Sequence, residues 1–138
     1  AGTLAGNPLA TAAGLSALNE LTQDVYMELG ARARQLATLL RDACTSAGIT
    51  AQFPVVGTLV GAFFGNRVPT NFDEAKQTDE KMYAKFFHAM LNEGVAMAPG
   101  AYEALFVGVG HTDAVMEQLA VAAHRAAHAV RSFENETI

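Results

Sequence analysis

Apolar residues recur at steps of three and four along three long segments, the spacing that places them on one face of a helix. The segments run from Asp24 to Ala47, from Asp79 to Glu93 and from Thr112 to about Phe133. A shorter helix is predicted ahead of them, because Asn7 followed by Pro8 has the pattern of an N-cap and a first helical residue. The chain is therefore predicted to contain four helices.

The ends of the long helices are indicated by residues that cap or stop a helix. Thr78 and Thr112 are predicted N-caps, since a threonine hydroxyl can accept a hydrogen bond from an amide of the first turn. Gly48 and Gly94 are predicted stops, because glycine readily adopts the left-handed conformation in which many helices end. The polar segment 66–80 is predicted to be an exposed connection with room for one helical turn.

Two pairs of short strands are predicted between the helices. Gln52 to Val56 and Thr58 to Phe64 are apolar, β-branched and aromatic segments separated by Gly57, which is the pattern of a β-hairpin. Val95 to Ala98 and Leu105 to Val109 are predicted to be two more strands. The predicted fold class is therefore α+β, with a small and mainly antiparallel sheet covered by helices on one face.

The composition limits the kinds of partner that the chain can have. Its 138 residues are 51% hydrophobic and 17% charged, as expected for one globular domain. The formal net charge is −5 and the few basic residues form no stripe, so we expect no nucleic-acid partner. The longest nearly uncharged segment, residues 53–66, is interrupted by Pro and Gly and is too short to span a bilayer as a helix. We expect no membrane partner either.

The single cysteine, Cys44, lies beside the apolar stripe of the second helix. This position favours a small core residue over a nucleophile, which would need an activating neighbour. One cysteine cannot form an intramolecular disulfide, and this fits a reducing, cytoplasmic location.

Two segments are candidates for a binding site. The chain begins AGTLAGNPLATAAG, in which the amides around Gly2 and Thr3 could bind an anion such as a phosphate ahead of the first helix. The same pattern is also typical of a simple capped helix start, and the residues alone leave both interpretations open. Glu103, in PGAYEALF, lies in a turn just before an apolar strand, where it is either a surface acid or a functional carboxylate.

Other polar residues are weaker candidates. His124 and His128 have the spacing of metal ligands on a helix, but they lie off the apolar stripe with no third ligand at a recognisable offset, so no metal site is predicted. Gly108 and Gly110 lack the third glycine and the acidic residue of a dinucleotide loop. His111 is predicted to form a hydrogen bond where the last helix starts. The three lysines fall at exposed positions, so no catalytic residue is predicted in this chain.

Two stretches of the sequence, GTLAGNPLATAAGLSAL and TNFDEAKQTDEKMYAKFFHAMLNEGVAMAPGAYEALFVGVGHT, resemble the closing third of the glutamate-1-semialdehyde 2,1-aminomutases. The first motif is shared in outline by the wider class III aminotransferases, whereas the second is closer to the aminomutases. The resemblance implies the C-terminal small domain of the aspartate aminotransferase type of fold. It also implies a homodimeric enzyme that uses pyridoxal 5′-phosphate to convert the small molecule glutamate-1-semialdehyde into 5-aminolevulinate for tetrapyrrole synthesis.

The resemblance also assigns roles to particular residues. Gly2 and Thr3 match a loop that reaches the cofactor phosphate of the neighbouring subunit, and Glu103 matches a position at the substrate mouth. Residues 1–22 would then be the end of the cofactor domain with a bridging helix, and residues 23–138 the small domain.

The sequence departs from the family pattern at three positions near these roles. Gly100 replaces a usual serine, Leu105 replaces a glycine, and Gly110 replaces an alanine.

The catalytic lysine, the acid that pairs with the pyridine nitrogen and the aromatic residue that stacks on the ring belong to an earlier part of the family chain. We therefore expect the 138 residues alone to be inactive, to bind no cofactor, and to self-associate or to have a mobile N-terminus.

Two alternatives remain open at this stage. One is another class III aminotransferase, although such relatives often carry a substrate-binding Arg that the segment Leu105 to Val109 lacks. The other is a non-catalytic, self-associating module.

Overall fold

The computed structural model describes residues 2–135, and side chains as far as residue 132. The helices are α1 (Pro8–Glu20), α2 (Gln23–Ser46), α3 (Phe72–Ala75), α4 (Glu80–Asn92) and α5 (Asp113–Asn135). The strands are β1 (Ala51–Gln52), β2 (Val55–Val56), β3 (Leu59–Val60), β4 (Phe63–Phe64) and β5 (Leu105–Phe106). All four predicted helices are confirmed, and α3 is the one helical turn that was allowed for in the polar segment 66–80.

Local hydrogen bonds explain where the helices begin and end. The Asn7 side chain accepts from the amides of Leu9 at 2.9 Å and Ala10 at 3.3 Å, so Asn7 is the predicted N-cap of α1. The N-cap of α4 was predicted one residue too early. The Thr78 hydroxyl donates instead to the Ala75 carbonyl at 2.7 Å, and the Asp79 carboxylate accepts from the α4 amide of residue 82.

The predicted stops at Gly48 and Gly94 are confirmed. Their φ angles are 71° and 83°, in the left-handed region that favours glycine. After each glycine the next amide donates back to the last turn: Ile49 to the Cys44 carbonyl at 2.8 Å, and Val95 to the Met90 carbonyl at 2.9 Å. Both α2 and α4 therefore end in a hydrogen-bonded C-terminal motif.

The predicted β-hairpin is confirmed as one antiparallel register from residue 51 to residue 64. Ala51 pairs with Phe64 at its open end, and Val56 pairs with Leu59 at its tip. The pairing is divided at Pro54, where one ladder hydrogen bond remains from the Gly61 amide to the Pro54 carbonyl at 2.9 Å. The hairpin therefore contributes two short strand pairs to two small sheets.

The turn of the hairpin provides a stability prediction at Gly57. This residue is the first of a two-residue loop and has a φ of 61°, a conformation that L-residues avoid. A Cβ built there meets nothing within 4 Å, so the cost of Gly57→Ala comes from the backbone alone. We expect the free energy of unfolding to fall by about 1–2 kcal/mol, measured by urea denaturation.

The matched control for that substitution is Gly110→Ala. Gly110 has no positive φ and equally open space around its Cα, so this variant should stay within about 0.5 kcal/mol of the parent. Equal losses in the two variants would contradict the role given to the turn.

The second predicted strand pair is only partly correct. β5 pairs with β3, Leu105 opposite Val60 and Phe106 opposite Leu59, but it is shorter than the predicted Leu105 to Val109. Val95 to Ala98 is not a strand, and that prediction is wrong. Its backbone groups bond to α4 instead. The Val95 amide donates to the Met90 carbonyl at the end of the helix, and the Ala98 carbonyl accepts from the Tyr83 hydroxyl at 2.5 Å.

The sheet β2-β3-β5 has two different faces. Val60 and Leu105 are buried beneath it, and α2 contacts both β2 and β3. Val56 and Phe106 project from the opposite face and are 74% and 68% exposed. The helices therefore cover one face of a small antiparallel sheet, which confirms the predicted α+β fold class.

The core lies where α5 packs against both α2 and α4. Its largest fully buried side chains are Phe86, Leu40, Met90, Met116 and Val60, and a set of alanines fills the space between the helices. Cys44 is 1% exposed within this core, which confirms its predicted place.

α1 stands apart from this core. It contains no buried residue, and Leu9, Leu15 and Leu18 are each at least 60% exposed. The proposed division into residues 1–22 and 23–138 stays a prediction. Ala1, residues 136–138 and the side chain of Phe133 lie outside what the structure describes.

Candidate functional site

The N-terminal loop containing Gly2 and Thr3 is an exposed series of turns ahead of α1. The Ala5 amide donates to the Gly2 carbonyl at 2.9 Å, and the Asn7 amide donates to the Leu4 carbonyl at 3.1 Å. Because the Asn7 side chain already accepts from two amides of the first turn, an anion here would have to be bound by loop amides and the Thr3 hydroxyl. The amides at the N-terminus of α1 are therefore less available to an anion than the sequence predicted.

The second candidate, Glu103, lies in the loop between α4 and β5. Tyr102 anchors this loop, since its hydroxyl donates to the Glu80 carboxylate at the start of α4. Its ring also packs edge-on against Phe72, with centroids 5.5 Å apart. The hydrogen bond and the charge of Glu80 raise the pKa of Tyr102, so the hydroxyl keeps its proton for this contact.

A second anchor holds the start of the same loop. Tyr83 is 3% exposed on α4, and its hydroxyl donates to the Ala98 carbonyl. Burial raises the pKa of Tyr83, and the negative charge of Glu103 raises it further. The Glu103 carboxylate is therefore close enough to Tyr83 to affect its ionisation, while Glu103 itself remains exposed to solvent.

An apolar cleft of about 370 Å³ lies beside this loop. Its walls come from α2, α4, α5 and the segments on either side of the loop. The lining residues include His111. The Gly108 amide donates to His111 Nδ1 at 2.9 Å, which confirms the predicted hydrogen-bonding role at the start of the last helix. β5 ends at Phe106 because its partner there, Leu59, is the first residue of β3 and directly follows the hairpin turn.

The weaker candidates are placed as the sequence indicated. His124 and His128 are exposed on α5, and His124 Nδ1 lies 3.1 Å from the Ser46 hydroxyl. All three lysines are exposed, and Lys76 pairs with Asp73 at 2.8 Å. Burial raises the pKa of Cys44 to about 12, so its thiol is not a nucleophile at neutral pH.

The described residues contain neither a metal-binding cluster nor a membrane-spanning helix. No group of three or more His, Cys, Asp or Glu side chains between residues 2 and 132 is arranged to hold a metal ion. Within the part of the chain that is described, no helix combines the length and the hydropathy needed to cross a membrane.

The structure thus places Gly2 and Thr3 in one loop and Glu103 in another. Sequence analysis missed the two residues that fix the second loop, Tyr83 and Glu80. Tyr83 falls within the predicted helical segment Asp79 to Glu93, and a usable signal was its hydroxyl, because a buried tyrosine normally needs a hydrogen-bond partner.

Comparison with known proteins gives the context of these two loops. The chain is 46% identical over 114 residues to glutamate-1-semialdehyde 2,1-aminomutase of Desulfosudis oleivorans, and 42% identical over 118 residues to that of Bordetella avium. It is 40% identical over 125 residues to glutamate-1-semialdehyde 2,1-aminomutase 2 of Bacillus licheniformis. The resemblance to the glutamate-1-semialdehyde 2,1-aminomutases is thereby confirmed. No protein-family model matches the chain.

The matches cover most of this chain but a small part of each aminomutase. They span 82% to 91% of the chain and 27% to 29% of the relatives. Solved structures likewise match most of this chain with a small part of their own length. A transaminase with PLP bound matches 94% of this chain with 29% of its own, at a TM-score of 0.74 and 19% identity. An omega-transaminase from Sphaerobacter thermophilus matches at a TM-score of 0.67 and 22% identity. The chain has the fold of an aminotransferase-type C-terminal domain.

Proposed function

We propose that this chain is the C-terminal part of a pyridoxal-phosphate-dependent aminomutase that converts glutamate-1-semialdehyde into 5-aminolevulinate in tetrapyrrole synthesis. The observation that carries the proposal is the 40% to 46% identity to three aminomutases across 82% to 91% of the chain. The chain spans little more than a quarter of the length of these relatives, so the activity belongs to the complete enzyme.

The exposed N-terminal loop supports a role in holding the cofactor phosphate. Residues 2–6 are all exposed, so the Thr3 hydroxyl and the loop amides outside the turn hydrogen bonds form a donor set suited to a phosphate. When bound, pyridoxal phosphate supplies the electron sink and the amino-group carrier for the reaction. Gly2 and Thr3 would bind the phosphate of the neighbouring subunit, and this makes a homodimer part of the proposal.

Glu103 is proposed to bind the substrate. Its exposed carboxylate is a suitable acceptor for the ammonium group of an amino aldehyde, and the two anchors at Tyr83 and Tyr102 limit how far its loop can move. A charge-assisted hydrogen bond of this kind orients the substrate and does not require Glu103 to exchange a proton. A cytoplasmic location and a small-molecule substrate complete the proposal.

We propose that none of the lysines in this chain forms the Schiff base with the cofactor. Its three lysines are all exposed, and a Schiff-base lysine is usually activated by burial or by a neighbouring charge. We therefore propose that the 138 residues alone are inactive.

The complete gene product and the 138-residue chain provide the test. We expect the complete enzyme to form 5-aminolevulinate from glutamate-1-semialdehyde without an added amino acceptor, and the chain to show no turnover. In the complete enzyme Glu103→Gln should raise KM about tenfold or more, since an ion-assisted contact contributes roughly 1.5–3 kcal/mol. The measurement is steady-state kinetics.

Glu117→Gln is the matched control, because Glu117 is an exposed carboxylate on α5 that is far in sequence from this loop. It should leave KM unchanged. A complete enzyme that required 2-oxoglutarate and an amino donor would instead support the other class III aminotransferases. Turnover by the 138 residues alone would contradict the assignment of catalysis to the rest of the enzyme.

A further inference from the structure

Residues 95–98 form a segment whose backbone is largely unpaired. Its first amide and its last carbonyl bond back to α4. Between these two bonds, the amide and the carbonyl of Ala96 and of Met97 form no hydrogen bond with any group of the described residues. The four residues include no turn or bend, and all except Ala96 are partly buried. Backbone groups inside a native protein are nearly always paired, so the segment lacks a partner that the described residues do not supply.

A second open edge belongs to β5. This strand is the last in the sheet order β2-β3-β5 and, among the described residues, pairs on one side only, with β3. Leu105 and Phe106 of β5 line the same apolar cleft of about 370 Å³ that residues 95–98 line. An edge strand or an extended segment with free backbone groups can accept an added strand. The cleft is therefore bordered by two segments whose backbone can pair.

The lining of the cleft indicates what kind of group fits into it. Leucines and a methionine of α2, α4 and α5 contribute to the walls, and no Asp, Glu, Lys or Arg is among the lining residues. His111 Nδ1 already accepts from the Gly108 amide. An occupant with a carboxylate or a phosphate, such as the substrate or the cofactor, would therefore find no lysine or arginine to bind it. Apolar side chains match the cleft.

We infer that the cleft receives an extended, apolar segment from the part of the complete enzyme outside these 138 residues, and that this segment pairs with the free backbone groups of Ala96 and Met97. In such strand addition, main-chain hydrogen bonds provide the affinity and an adjacent pocket selects the side chains. Residues 95–98 lead directly into the loop that carries Glu103, so the added strand would also hold the start of that loop.

The length of the relatives favours this occupant over a second copy of the chain. The curated aminomutases match the chain with only 27% to 29% of their own length, so most of a complete enzyme of this family is available to supply the segment. The inference rests on the proposed function in one respect, which is that the chain is part of a longer enzyme.

Amide hydrogen exchange tests the pairing without any activity. In the 138-residue chain the amides of Ala96 and Met97 should exchange rapidly, because neither has a partner. Successive amides of a strand point to opposite edges, so in the complete enzyme at least one of the two should exchange about a hundredfold more slowly. Mass spectrometry with residue resolution makes the comparison. The exposed amides of Asn66 and Arg67, which also form no backbone hydrogen bond in the described part of the chain, should exchange rapidly in both proteins.

Photo-crosslinking identifies the partner of the segment. Photo-methionine is close in shape to methionine, and the residue at position 97 lines the cleft. In the complete enzyme we expect mass spectrometry to find residue 97 joined to a segment outside residues 1–138. Met116 is the internal control, because it is 1% exposed in the core and does not line the cleft. It should join only residues of this chain.

The variant Met97→Glu places a carboxylate in the apolar cleft. In the complete enzyme it should expel the added segment, so the slowed exchange at positions 96 and 97 should return to within about threefold of the rate in the chain alone. Met27→Glu is the matched control, because Met27 is 58% exposed on α2 and does not line the cleft. It should leave the exchange at both positions unchanged. If Met97→Glu failed to fold, as judged by circular dichroism, the exchange and the cross-link of the parent enzyme would still decide.

Three results would overturn the inference. The first is rapid exchange of both amides in the complete enzyme, and the second is slow exchange already present in the 138 residues alone. The third is a cross-link from residue 97 that reaches only residues 1–138, in the same copy or in a second one.

These results are separable from the proposed function. A complete enzyme that forms 5-aminolevulinate but leaves both amides unprotected would contradict the inference and leave the proposed function intact. A complete enzyme with the protected and cross-linked segment but without aminomutase activity would contradict the proposed function and support the inference.

Discussion

Replacing Phe86 with alanine should lower the free energy of unfolding by about 3–5 kcal/mol, the range measured for large aromatic residues in cores. Phe86 is 0% exposed at the centre of α4, and its ring packs against Phe64 of β4 with centroids 5.6 Å apart. The substitution removes both the buried apolar surface and the contact between α4 and the hairpin. Since small domains are stable by only about 5–15 kcal/mol, much of the total would be lost.

Urea denaturation followed by circular dichroism would measure this loss. Leu91→Ala provides the control on the same helix, because Leu91 is 48% exposed. It should cost about 1 kcal/mol, clearly less than Phe86→Ala, since about half of the Leu91 surface already remains in water. Similar losses in the two variants would show that α4 is not packed as the structure describes.

The second large effect is a loss of stability at alkaline pH that depends on Cys44. Burial raises the pKa of this thiol from 9.0 to about 12 in the folded chain. Between these values the unfolded chain has released the proton and the folded chain still binds it, so rising pH favours unfolding. The contribution of the Cys44 thiol to the free energy of unfolding is fully present below pH 9. Above pH 9 it decreases by about 1.4 kcal/mol for each pH unit, so the total loss is roughly 4 kcal/mol near pH 12.

Free energies of unfolding at pH 8, 9.5 and 11 would test this, with Cys44→Ala as the comparison. The alanine variant lacks the thiol, so its free energy of unfolding should decline less steeply with pH. The difference in free energy of unfolding between the two proteins should therefore change by about 2–3 kcal/mol over this range. Tyr83 also has a raised pKa and contributes an alkaline loss to both proteins, which cancels in the comparison. Parallel curves for the two proteins would contradict the assignment.

Features that depend on neighbouring residues were predictable from the sequence. The Asn7 cap of α1 and the ends of α2 and α4 at Gly48 and Gly94 each involve hydrogen bonds within a few residues. The Gly57 hairpin is also local. Even the misplaced cap of α4 was wrong by only one residue, because Thr78 and Asp79 can both cap a helix and only the competing bond to Ala75 decides between them.

Features that depend on distant partners were not predictable in the same way. Val95 to Ala98 has the composition of a strand, but its carbonyl at Ala98 is taken by Tyr83, which is fifteen positions away in the chain. The anchoring of Tyr102 by Glu80 requires a separation of twenty-two residues. Glu103 was selected through the family resemblance, whereas the turn that its amide closes on the Gly100 carbonyl is seen only in the structure.

The isolation of α1 has a consequence for the N-terminal loop. A helix of thirteen residues without buried side chains is close to the length at which helix and coil are equally populated in water. Its order then depends on the Asn7 cap, on Pro8 and on the intrinsic preference of its alanines. Because the Asn7 amide donates to the Leu4 carbonyl, melting of the first turn of α1 would also loosen the loop that contains Gly2 and Thr3. The geometry of those two residues is thus coupled to a helix–coil equilibrium in α1.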